Sequence, residues 1–120
     1  MTLPLTKETL AAAYDYLAAT PPFYDWNLPD SEEVDFKVSR RSGEFGRYQW
    51  VGKHTISLSS KAIGHTTTLL RTMGHEMVHL HLEMTGMEAK SGGPNVHNAA
   101  FRRNAAKVCK FHGWDLKEFC

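Results

Sequence analysis

Three features of the sequence predict an α+β fold: apolar residues at helical spacing near the N-terminus, two-residue alternation through the middle, and helical spacing again through the last half. The predicted order is an N-terminal helix, a small three-stranded antiparallel sheet and two further helices. The 120 residues, 42% hydrophobic and 22% charged with a net charge of +1, predict one domain spanning 1–120. A chain of this size buries roughly two-thirds of the surface its unfolded form exposes. It therefore folds without disulfide staples, and Cys109 and Cys120 need not pair.

Thr6 can cap the first helix, Glu8 favours its positive end, and Leu10, Ala13, Tyr14 and Leu17 recur on one face. Pro21-Pro22 ends it. The run Phe23-Tyr24-Asp25-Trp26 reads as packing surface. From Val34, apolar Val34, Phe36 and Val38 alternate with Asp35, Lys37 and Ser39, the pattern of a half-buried strand. Ser42-Gly43 reads as a turn into a second strand over 44–51, and Gly52-Lys53 as a turn into a third over 54–59. The expected sheet is thus an antiparallel meander, with Ile56 and Leu58 inward. A long helix over 66–85 carries Leu69, Met73, Met77, Leu80 and Met84 on one apolar stripe, with Gly86 as its stop. Lys90-Ser91-Gly92-Gly93-Pro94 reads as a connector. A last helix over 95–112 is expected to bury Phe101, Ala105 and Val108 and to end at Gly113.

Composition narrows the function classes. No run approaches the ~20 apolar residues of a membrane span. The start also lacks the basic and apolar regions of a signal peptide, so a cytoplasmic protein with no membrane partner is expected. Two cysteines are too few for a four-cysteine zinc ribbon. The near-neutral charge gives no whole-chain case for nucleic-acid binding. Histidine is the oddity: all seven, from His54 to His112, lie in the second part of the chain.

On the long helix stands His75-Glu76-Met77-Val78-His79, an H-E-x-x-H motif. Residues four apart lie one above the other on a helix face, so both imidazoles can reach one metal ion. Zinc accepts imidazole nitrogen at about 2.0–2.1 Å, and the intervening glutamate is placed to take a proton from water. The apolar stripe occupies a different side of the helix, which leaves the motif free for this use. Two ordinary surface histidines would require neither the glutamate nor a further ligand nearby.

A catalytic zinc takes three protein ligands. A metzincin would place the third six positions after His79, where this chain has Thr85, and Leu82 stands in place of its glycine. His81 points to another side of the helix, Glu83 reads as a supporting or solvated carboxylate, and Glu88 could be argued but falls in the loop. His97 is better placed, because a last helix beginning at 95 puts it in the first turn, folded back across the motif.

Taken together, Ile56-x-Leu58-Ser59, the stretch from Leu69 to Met73 leading into His75-Glu76-Met77-x-His79, a Gly-Pro-containing loop and His97-x-x-x-Phe101 resemble the SprT-like zinc metalloproteases. The resemblance covers most of the chain, with Asn98 where the family often has glycine. It implies Zn2+, with His75, His79 and His97 as ligands and Glu76 as general base. It further implies an endopeptidase acting on protein or peptide. Members of the family degrade proteins crosslinked to DNA, so Arg103, Lys107 and Lys110, which share a helix face, could meet phosphate. A basic stripe opposite a buried face is also an ordinary solvated surface. The rival class is a zinc-stabilised module that binds DNA or protein with little or no hydrolysis. Tyr48, His65, His112 and Arg102 are chemically able to stabilise an oxyanion, and the sequence ranks none of them.

Overall fold

Capping and periodicity coincide at the start of the chain, and a helix forms there. In the computed structural model, which describes residues 5–63, 65–89 and 97–120, Thr6 Oγ1 accepts the Thr9 N–H at 3.0 Å. Helix α1 (Lys7–Ala18) then buries Leu10, Ala13, Tyr14 and Leu17. Two single-turn segments, Phe23–Asp25 and Ser31–Glu33, carry the chain to the sheet. Phe23 is buried and Trp26 stacks on His81 with ring centroids 4.1 Å apart, so both pack as expected; Tyr24 is exposed.

The sheet comprises β1 (Asp35–Ser39), β2 (Gly46–Trp50) and β3 (His54–Ser59) in the order β1-β3-β2. It is mixed, and the expected antiparallel meander is corrected. β2 and β3 form an antiparallel hairpin, while β1 lies parallel to β3 with Phe36 opposite Ile56 and Val38 opposite Leu58. Burial gives the reason. β3 is the most enclosed strand, with Thr55, Ile56, Leu58 and Ser59 all buried, and it takes the centre. β2, with Gln49 and Trp50 exposed, takes the edge. The connection over 40–45 crosses the end of β3, where Ser59 N–H donates to Phe45 O at 2.8 Å and Ser59 Oγ donates to Arg41 O at 2.5 Å. The turn read at Ser42-Gly43 is therefore part of a crossing, and β2 begins later than expected.

Helix α2 (Thr66–Met84) is the centre of the molecule, packed against α1, β2, β3 and the later helices. Its burial extends beyond one stripe to Val78, Leu82, Glu76 and His79, as befits a helix covered on several sides. Met84, expected on the buried stripe, is exposed; Leu82 takes the enclosed place in that last turn. Gly86 at φ +73° lets the helix end in a Schellman motif, with Met87 N–H on Leu82 O and Gly86 N–H on Glu83 O. Helix α3 (Ala99–His112) buries Phe101, Ala105 and Val108. Asn98 Oδ1 accepts the Phe101 N–H at 2.9 Å and is the cap. His97 therefore precedes the helix instead of standing in its first turn. The connector expected over 90–94 lies outside the described residues, as do the first two positions of the expected helix. A short helix not read from the sequence, α4 (Leu116–Phe119), is capped by Asp115 and buries Phe119. No helix among the described residues is long and apolar enough to cross a membrane.

Candidate metal centre

One helical turn of α2 brings His75 and His79 together with ring centroids 5.2 Å apart, and the segment before α3 delivers His97 to within 4.8 and 5.3 Å of them. One ligand nitrogen from each lies within 4.8 Å of the other two. Phe101 forms the floor beneath all three: it stacks on His97 at 4.0 Å and meets His79 and His75 at 4.6 and 4.9 Å. The spacing His97-x-x-x-Phe101 thereby acquires a physical reason.

Hydrogen bonds fix which nitrogen each helical imidazole presents. His75 Nδ1 lies 2.6 Å from Phe119 O and His79 Nδ1 lies 2.8 Å from Glu88 Oε2. A carbonyl and a carboxylate only accept, so both Nδ1 atoms carry hydrogen, and in a neutral ring this leaves Nε2 as the lone-pair donor. Burial pushes His75 down to about 3, opposed by its bond to Phe119, and burial also lowers His97. Both rings are then neutral, the form that ligates a metal. His79 Nε2 and His97 Nε2 are buried with no hydrogen-bond partner. Orphaned buried nitrogens are costly, and a cation shared by the three rings would satisfy them. The residues present thus fit a metal ion.

A family model for the SprT-like family matches residues 13–117. The chain belongs to the SprT-like family. No curated protein matches it significantly. Membership supports a metalloprotease-like module, and within this SprT-like chain His75, His79 and His97 form a cluster that could hold a metal ion.

Glu76, between the two helical histidines, is buried with Oε1 unpartnered. Burial, reinforced by Glu44 and Glu88 and opposed by Arg47, pushes its carboxyl up to about 8. Its Oε2 faces Gly46 of β2. A Cβ at Gly46 would stand 2.9 Å from Thr72, 3.0 Å from Glu76 Oε2 and 3.1 Å from Ser57 O, so only glycine lets the edge strand approach the carboxylate this closely. A cleft of about 450 Å³ opens beside them between β2, α2 and α4, with Arg71, His75, Glu76 and His97 among its lining.

The other candidates stand outside the three-histidine cluster. His81 stacks on Trp26, away from the cluster. Glu88 lies in the loop as expected and touches His79 from behind. Tyr48 hydroxyl sits 2.6 Å from His54 Nδ1, His112 Nε2 sits 3.2 Å from Thr20 Oγ1, and Arg102 donates to His97 O at 2.7 Å. His65 stands exposed at the N-cap position of α2 and makes no side-chain capping bond. Sequence reasoning missed Phe119, Arg71 and Gly46. Asp115 before Leu116-Lys117-Glu118 was the one local signal for α4; Gly46 and Arg71 carry none, because their meaning depends on what α2 packs against.

Proposed function

We propose that the chain is a zinc-dependent endopeptidase. The observation that carries this reading is the convergence of His75, His79 and His97 beside the buried, unpartnered carboxyl of Glu76. Zinc, when held by the three imidazoles, supplies Lewis acidity that polarises a scissile carbonyl and acidifies water. Everything else falls to the chain. Phe119 O and the Glu88 carboxylate hold the two helical rings with Nε2 forward. Glu76 accepts the proton of the attacking water at the open Oε1 and returns it to the leaving amine. A bound cation beside Glu76 favours its carboxylate form, so the carboxyl that burial keeps protonated in the metal-free state becomes the base. The backbone of β2, at the edge of the sheet next to Gly46, offers hydrogen bonds to an extended peptide lying in the cleft.

Arg103, Lys107 and Lys110 are exposed on α3 and enter no ion pair among the described residues. This free basic face, on the helix that follows His97, supports phosphate contact and hence action on DNA-associated protein.

The test is cleavage of an unstructured protein by zinc-quantified enzyme, with and without single-stranded DNA. Glu76→Gln is expected to lower kcat about 10²–10⁴-fold with zinc content unchanged. Cleavage that survives this substitution overturns Glu76 as base. Zinc-loaded wild type that cleaves nothing in either arm leaves a binding module. A rate insensitive to DNA removes the phosphate-contacting role of the basic face.

A further inference from the structure

His79 is the most enclosed of the three imidazoles, and the group behind it is an anion. We infer that Glu88 is a positioning residue of the metal centre, acting through His79 to fix its ring and to supply negative charge behind it. The inference deepens the metal-binding reading and rests on it.

Geometry and charge argue together. Glu88 Oε2 is 2.8 Å from His79 Nδ1, and its other oxygen is buried with no partner. Among the described residues no Lys or Arg pairs with it. A carboxylate oxygen kept from water without a partner is costly. A divalent ion on the far side of the imidazole offsets that cost, and the carboxylate in turn makes the ring a stronger donor. His75 lacks this arrangement, since its partner Phe119 O is neutral. The position of Glu88 is itself set from two sides. The Schellman ending of α2 fixes Gly86 and Met87, and Asn98 Nδ2 donates to Met87 O at 2.9 Å while its Oδ1 caps α3. Asn98, the residue after His97, thus holds Met87, the residue before Glu88, so the second and third ligands share one support. A smaller residue at 98 would lose that tie.

The test uses the full chain stripped of metal. Zinc affinity is measured by competition with a chromophoric chelator for wild type, Glu88→Gln, Glu88→Ala and Asn98→Ala, alongside melting of each metal-free protein. Glu88→Gln keeps an acceptor for Nδ1–H but no charge, and is expected to weaken zinc about tenfold; Glu88→Ala is expected to weaken it about 10–100-fold. Asn98→Ala should weaken zinc in the same direction. The visible spectrum of the cobalt-substituted protein should change in Glu88→Gln while its metal-free melting stays close to wild type. Wild-type affinity in both Glu88 variants overturns the inference, as does lowered metal-free melting with affinity unchanged. A wild type that does not bind zinc is a different result, and it overturns the metal centre itself.

Discussion

His75, His81 and His97 all have their proton affinity lowered by burial, yet only two of them belong to the site. What separates them is where the ring points. His81 lies flat on Trp26, with an interplanar angle of 13°, and helical geometry turns it away from His75 and His79. His97 arrives from outside the helix, with its Nε2 buried and unpartnered beside theirs. His97→Ala is therefore expected to weaken zinc on the order of a hundredfold or more, because a three-ligand site loses one of its bonds. His81→Ala should leave zinc affinity at the wild-type value and cost about 0.5–1.5 kcal/mol of stability through the lost stack. Chelator competition and thermal melting on the two variants check this, and equal losses of affinity would overturn the assignment of the third ligand.

At the scale of elements, α4 is four residues long and still holds part of the site. Phe119 is buried close to Gly74 of α2 and stacks with Trp114, and its carbonyl accepts from His75. Phe119→Ala removes the anchor and keeps the carbonyl. It is expected to cost about 3–5 kcal/mol in melting and to weaken zinc as well, since the acceptor behind His75 is no longer held. Unchanged melting would show that α4 is not integral to the fold. Periodicity could not find α4, because a single turn has no repeat to detect. It found α1, α2 and the body of α3 because Leu10 to Leu17, Leu69 to Leu80 and Phe101 to Val108 each pack one face against neighbours. The sheet shows the other limit. Alternation in Val34, Phe36 and Val38 fixes which face is buried but carries no information on which strand lies beside it. The same β2–β3 hairpin serves a meander or a β1-β3-β2 order. The choice is made by the burial of β3 and by Ser59 holding the crossing segment, which are tertiary facts. The H-E-x-x-H pair was legible because its spacing equals one helical turn. Glu88 was legible only as an arguable ligand falling in a loop, because its contact with the Nδ1 of His79, nine residues back, carries no sequence signal.

For the molecule as a whole, the concentration of buried titratable groups around α2 makes stability without metal depend on pH in two opposing ways. His54, His75, His81, His97 and His112 are all lowered by burial. The unfolded chain binds more protons than the folded one as pH falls below about 6.5, so the stability these groups contribute is present above that value and is lost on acidification. For His75 the loss continues towards about 3. Glu76 has the opposite sign. Its carboxyl is raised from 4.5 to about 8, so the folded state holds the extra proton and the contribution is lost as pH rises through that window. The two trends oppose each other from 4.5 to 6.5, and above 6.5 the histidine contribution is complete while that of Glu76 still declines. Cys109, raised to about 11, acts only at higher pH. The metal-free protein is therefore expected to melt highest near pH 6.5, to lose stability slowly towards pH 8 and to lose it more steeply on acidification. Glu76→Gln should remove the decline between pH 6.5 and 8 and keep the acidic one, because only the carboxyl titrates in the upper window. Melting of both proteins across pH 4–8 in chelator reads this directly; a decline above pH 6.5 that persists in Glu76→Gln would mean that the proton held in the folded protein belongs to another group.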